Sequence, residues 1–353
     1  MISVATVALQ PGMELAEDAV SLRSGVICPA RTKLDQGMID KLKRYQIMVV
    51  TVMEPEDYTT THYEKVACSR AFKGFAKQYQ MQLNVYKQMI NDVMEDRIYI
   101  NTDLLLNIYR TLYDNVGDGD LLLDMLYSML PSEDNVTYAH CLNAALIAGV
   151  FASWLDFDES ESNLMILCGF LYDIGKLKLP NKLIWKVGKL TDFEFNWMKT
   201  HTTIGYDLLK NQPIDQHIIN AALMHHERDN GTGYPNKLMG DAIDRYAKYM
   251  AIVDGYDAMT SARSYRNSLN PFQVITNFER GGLYQYDLAV VKRILMHIAA
   301  HQVGHVVTLN DEQYSPATVR MVNPDNLSRP IIETEKGIID MRSFPKLEIT
   351  AIL

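Results

Sequence analysis

The run AALIAGVFASWL, from Ala144 to Leu155, holds no charged residue. It falls short of the roughly 18 to 20 apolar residues that a membrane-spanning helix needs, so it predicts a helix buried in a protein core. Helical character continues on either side. From about Tyr63 to about Gln302 apolar residues recur at three- and four-residue spacing, as in Leu104, Leu105, Ile108 and Leu112, or Leu122, Met125, Leu126 and Met129. That is the pattern of helices with one face turned inward. Strand-like runs are almost absent from this stretch.

The pattern changes at both ends. Residues 1–53 alternate short apolar runs (VATVAL, GVICPA, YQIMVVTVM) with turn residues such as Pro11-Gly12, around a short helix expected at Gln36 to Tyr45. This predicts a small β-rich unit. The polar stretch EPEDYTTT, Glu54 to Thr61, lacks an apolar period and reads as a linker over 54–62. After Gln302 the runs VGHVVTL, ATVRMV, PIIET, GIIDM and LEITAIL, separated by Asn, Asp, Pro and Gly, predict a second β unit over 303–353. The expected fold is multidomain and mainly α, with an all-helical domain at 63–302 flanked by small β-rich N- and C-terminal modules.

Composition narrows the function classes. A chain of 353 residues suggests two or three folded units, and 48% hydrophobic residues exclude global disorder. The net charge of -9 disfavours attraction to a nucleic-acid polymer or an anionic membrane, while leaving room for one anionic ligand in a local basic pocket. Cys28, Cys68, Cys141 and Cys168 show no CxxC pairing, as expected in a reducing cytoplasm. Met1 to Ala8 lack the basic and apolar regions of a secretory signal.

Within the helical stretch, His140, Asp173, His201, His225, His226 and Asp254 are the candidates for chemistry. Imidazole nitrogen and carboxylate oxygen together suit a divalent ion such as Mn, Fe or Zn, and an aspartate can bridge two of them. Three runs frame them: DIGKLKLP from Asp173, HHERDNGTGYP from His225, and DGYDAMTSARSYR from Asp254. His297, His301 and His305 lie four residues apart, but no carboxylate cluster accompanies them in sequence, so their spacing reads as chance.

Taken together, the three runs resemble the HD-GYP family of metal-dependent cyclic di-GMP phosphodiesterases, over roughly residues 135–282. The resemblance implies an all-helical HD-type metallohydrolase core with a two- or three-metal centre, which the departures described below reduce to one or two divalent ions, Fe or Mn. It also implies hydrolysis of cyclic di-GMP, or a related nucleotide, to pGpG or GMP. On this reading His140, Asp173, His201, His225, His226 and Asp254 are metal ligands, with Asp173 bridging. Lys176, Arg263 and Arg266 pair with phosphodiester oxygens, and Tyr234 touches the ligand. Asp173 and Lys176 carry the catalysis. The β modules or the GYP loop would meet protein partners, and a homodimer fits the type.

Three positions depart from the family pattern. Tyr172 stands where the histidine of the HD pair is expected, Asn230 replaces an aspartate of the GYP run, and Val136 replaces a glutamate that binds a third metal in some members. These departures leave two alternatives open: a degenerate member acting as a cyclic di-GMP receptor or interaction module, and a hydrolase of another phosphoester or nucleotide.

Overall fold

The computed structural model describes residues 2–21, 25–53, 61–129, 135–184, 186, 188–261 and 268–353. At the N-terminal end come strands β1 (Ile2–Ala5), β2 (Ala19–Ser21) and β3 (Gly25–Cys28), helix α1 (Gln36–Arg44) and strand β4 (Val49–Val52). They make two antiparallel pairs, β1 with β4 and β2 with β3. The Asp35 carboxylate accepts a hydrogen bond from the Met38 backbone N–H at 2.7 Å and so starts α1. Leu15, Ile39, Leu42 and Val52 fill a small core that belongs to this part alone.

Residues 54–60 of the expected linker lie outside the described residues, and helical structure resumes at His62. The helices that follow are α2 (His62–Cys68), α3 (Arg70–Met94), α4 (Thr102–Val116), α5 (Gly119–Ser128), α6 (Val136–Trp154), α7 (Glu159–Leu171), α8 (Asn181–Ile184), α9 (Asp192–Lys199), α10 (His201–Leu209), α11 (Gln216–Met224), α12 (Arg245–Thr260), α13 (Pro271–Gly281) and α14 (Leu288–His301). The opening apolar run is the second half of α6, a longer helix than the sequence suggested. At 19 residues α6 is long and apolar enough to cross a bilayer, yet 78% of its most apolar window is buried inside the protein. A helix apolar on every side is accommodated at the centre of a core. Here α3, α4, α5, α7, α12 and α14 pack around it.

Each late β-prone run forms a strand: β5 (Val306–Leu309), β6 (Ala317–Met321), β7 (Ile331–Thr334), β8 (Gly337–Asp340) and β9 (Ile349–Ile352). They make one antiparallel sheet in the order β8-β7-β6-β5-β9. Its buried residues Val307, Val319, Ile332 and Ile352 join the same continuous core as the helices. The sheet therefore shares the helical core, whereas residues 2–53 keep a separate one.

The late histidines need a correction. His297 stacks flat on Trp154, with ring centroids 5.2 Å apart. His301 does have carboxylate company, from an element 180 residues upstream: its Nδ1 lies 3.4 Å from Asp120 and its Nε2 lies 3.7 Å from Asp124. The same Asp124 oxygen lies 2.7 Å from His62 Nε2, which ties α2 to α5 and α14. Asp120 and Asp124, one helical turn apart on α5, raise the His301 pKa to about 10 against the effect of burial.

This pairing has a pH signature. The folded pKa lies above the ordinary value of about 6.5, so its stabilisation is full below about pH 6.5, shrinks above it and is gone by about pH 10. The melting-temperature gap between wild type and His301→Gln is expected to close over that window, as measured by thermal unfolding at a series of pH values.

Candidate metal centre

Five elements converge at one end of α6. His140 lies in the first turns of α6, Tyr172 caps α7, and Asp173 follows it into a short 3-10 turn. His201 opens α10, His225 and His226 follow α11, and Asp254 lies in the middle of α12. The close fit of these elements demands glycine at one point. A Cβ on Gly175 would lie 2.0 Å from the His201 carbonyl oxygen, so only glycine lets the Asp173 turn rest against α10.

Two donor groups face each other across Asp173. On one side the ligand atoms of His201, His225 and His226 gather within 4.8 Å of one another, and on the other those of His140, Asp173 and Asp254 do the same. His201 Nδ1–H donates to the Met198 carbonyl at 2.6 Å and His225 Nδ1–H donates to the Ala221 carbonyl at 2.9 Å. These bonds turn both Nε2 lone pairs inward, where they meet at 3.2 Å. Lone pairs at that separation call for a cation between them. Burial lowers the pKa of His201 and, together with the His201 neighbour, brings His225 down to about 4. Burial and then His225 take His226 well below the ordinary value. All three rings are thereby neutral and able to ligate near neutral pH.

Asp173 is fully buried, and neither carboxylate oxygen accepts a well-formed hydrogen bond. His140 Nε2 and His201 Nε2 stand 3.3 and 3.4 Å away, and Lys176 makes an ion pair with it. Burial alone would raise the Asp173 pKa, but Lys176 and the two histidines hold it well below the usual carboxylate range. A buried, ionised carboxylate whose Oδ1 has no hydrogen-bond partner, between two sets of N and O donors, fits a divalent ion.

The second group has a partner of its own. The Tyr172 hydroxyl lies 2.6 Å from His140 Nε2 and donates to Asp254 at 3.3 Å. Burial, followed by the negative charges of Asp254 and Asp173, pushes the Tyr172 pKa well above 10, which keeps it a neutral phenol. On the far side of the ring, His140 Nδ1–H donates to Asp257 at 2.5 Å. Asp257 in turn accepts from Asn143 Nδ2 at 3.2 Å and from Ser261 Oγ at 2.8 Å.

Asp257 was not among the residues expected from the sequence. Its signal was available as two interlocking i, i+3 pairs, His140/Asn143 on α6 and Asp254/Asp257 on α12. Outer partners of this kind are typically worth 10- to 100-fold in metal affinity. Asp257→Ala is therefore expected to weaken Mn binding by about that factor in a metal titration, with His140 left unoriented.

The GYP loop is folded back onto the histidine pair. A Cβ on Gly233 would lie 2.4 Å from the Glu227 Cα, so the loop's approach also requires glycine. Glu227 is buried and its carboxylate accepts from the Asn236 and Leu238 backbone N–H groups at 2.6 and 3.0 Å, clamping the loop. Tyr234 stacks on His226 with ring centroids 4.7 Å apart.

Asn230 does not reach the metal donors. Its Oδ1 accepts from the Thr232 backbone N–H at 3.1 Å and hydroxyl at 2.7 Å, which makes the amide a turn former. Val136 is the first residue of α6. Arg263 and Arg266 lie outside the described residues.

Comparison with known proteins follows the same lines. The family model for the HD domain matches residues 124–290. The chain is 37% identical over 148 residues to the cyclic di-GMP phosphodiesterase response regulator RpfG of Xanthomonas campestris, covering 41% of this chain and 39% of that protein. It is 31% identical over 245 residues to a cyclic di-GMP phosphodiesterase of Vibrio cholerae, covering 63% of this chain and 49% of that protein. The chain thus spans less than half the length of either relative. In fold it is similar to Bd1817, an HDG"Y"P protein from Bdellovibrio bacteriovorus, with a TM-score of 0.51, 14% identity, and coverage of 83% of this chain and 98% of that one. Residues 124–290 thus match an HD domain, and the chain is similar to cyclic di-GMP phosphodiesterases over that stretch.

Proposed function

We propose that this is a cytoplasmic signalling protein that binds cyclic di-GMP at a metal centre of Fe or Mn and hydrolyses it to pGpG. The observation that carries this reading is the buried, ionised Asp173 carboxylate between the two donor groups. The names of the relatives support cyclic di-GMP as the ligand.

His201, His225, His226 and Asp173 would hold one ion, and His140, Asp173 and Asp254 are the donors for a second. Bound there, a divalent ion would polarise a phosphoryl oxygen and lower the pKa of water, as metal hydrolases require. The protein's own groups set the conditions for this. Asp173 and Asp254 provide fixed negative charge, and Asp257 fixes which nitrogen of His140 faces the centre. The Lys176 ammonium, paired with Asp173, adds positive charge next to the phosphate position. Overall, water adds to phosphorus and its proton leaves with the ribose 3′ oxygen as one P–O bond of the ring breaks. A second cut yields two GMP.

A second reading is favoured by one observation. The Tyr172 phenol is hydrogen-bonded to two of the three donors of the second group, which supports a receptor that holds one ion and cyclic di-GMP without turnover. Chromatography of cyclic di-GMP incubated with Mn- or Fe-loaded protein, purified without oxygen, separates the two. Appearance of pGpG or GMP supports the enzyme. Intact nucleotide that co-elutes with the protein supports the receptor, and intact nucleotide that does not bind overturns both.

A further inference from the structure

Of the phosphate partners expected from the motifs, Arg263 and Arg266 lie outside the described residues. Lys176 is engaged with Asp173, and the open space lies elsewhere, in a cleft of about 570 Å³ on the outer side of His226. That volume lies within the range of small-ligand clefts, roughly 300–1,000 Å³. Its walls include Phe195, Lys199, His226, Arg228, Tyr234 and Lys237. Three cations around one cleft stand out in a chain of net charge -9.

Helix α9 supplies the wall that no motif marks. Thr191 and Glu194 form a capping box at its start, which fixes the helix directly ahead of the ligand His201. Phe195 and Lys199, one turn apart on α9, both face the cleft. The Phe195 ring meets Tyr234 edge-on, with centroids 6.4 Å apart at 79°. The Lys199 ammonium lies 4.5 Å from the Phe195 centroid and 5.5 Å from that of Tyr234. Phe195 is 45% exposed, so part of its ring is open to the cleft. Arg228 is less free to reach a ligand, since its guanidinium donates to the His225 and Glu227 carbonyls at 3.1 and 2.9 Å.

We propose that this cleft takes a purine base of a nucleotide phosphodiester, with Phe195 as the stacking surface and Lys199 as the cation for the adjoining phosphate. A half-exposed ring beside a lysine offers a base its π face and the phosphate its charge, the pairing that single-stranded nucleotide sites use. The adjacent His226 places that phosphate beside the metal donors. The proposal rests on the reading of the site as a nucleotide phosphodiester centre and assigns its specificity to α9.

The test is equilibrium binding of cyclic di-GMP and, separately, of GMP to the full chain loaded with Mn, with circular dichroism to verify folding. Phe195→Ala is expected to weaken both ligands about tenfold or more, and Phe195→Trp to restore them. Lys199→Gln is expected to weaken binding and flatten its salt dependence. Wild-type affinity in Phe195→Ala, or a loss that Phe195→Trp does not restore, overturns the base-stacking role.

The GMP arm separates this inference from the proposed function. If cyclic di-GMP neither binds nor turns over while GMP binds in a Phe195-dependent way, the cleft stands and the cyclic di-GMP reading falls. If neither nucleotide binds the wild type, the cleft proposal falls as well.

Discussion

Asp173→Ala is expected to strip the chain of its metal and of phosphodiesterase turnover together. Asp173 faces both groups, at 3.4 Å from His201 Nε2 on one side and 3.3 Å from His140 Nε2 on the other. Without it the inward lone pairs of His201 and His225 keep their geometry but lose the negative charge that makes a cation welcome between them. Removing an outer partner typically costs 10- to 100-fold, so removing this shared ligand should cost more. Metal retained after gel filtration should fall below about a tenth of wild type, and conversion of cyclic di-GMP by more than about 100-fold. Asp173→Asn keeps the volume and removes the charge. Equal losses in both variants would assign the effect to charge, whereas retention of metal in either would remove Asp173 from the centre.

The opposite outcome is expected for Tyr172→His. The neutral phenol occupies the donor position nearest His140 and Asp254, and the negative charges around it oppose its ionisation. An imidazole at that position would offer a lone pair where the phenol offers a proton. Elemental analysis should then show an additional ion per chain, with affinity at the second position raised about tenfold or more and turnover raised with it. Unchanged metal content and turnover would mean that the phenol is not what limits the second position. Asn230→Asp, by contrast, should change neither quantity, because the Asn230 side chain is spent on the Thr232 turn.

What the sequence made legible follows from how local each signal was. The helical stretch and the five C-terminal strands were readable because periodicity is written in neighbouring residues. The donors His140, Asp173, His201, His225, His226 and Asp254 were readable through the resemblance of their motifs to a known family, and the fold gathers them into two groups of three. The short pair β2 with β3 was only half visible, since a three-residue strand such as Ala19–Ser21 has no period to detect.

Long-range partners were harder. The carboxylates beside His301 come from α5, 180 residues away, and no local pattern predicts that meeting. The same holds for Phe195 and Lys199. On α9 they read as an ordinary surface pair, and only the return of the GYP loop turns them into a cleft wall. Asn230 is a motif position whose side chain bonds within its own turn, to the Thr232 backbone N–H and hydroxyl.

Residues 2–53 have a core of their own, while the C-terminal sheet is continuous with the helices. Cooperativity follows the same division. Leu15 and Leu42 lie in the separate core, so loss of packing around them is expected to leave the metal donors assembled. Loss of packing around Ile332 or Ile352 disturbs the core that holds α6 and α12, and reaches His140 and Asp254 through them. A heat scan read by metal release and one read by total helix content would therefore report different events in the same molecule.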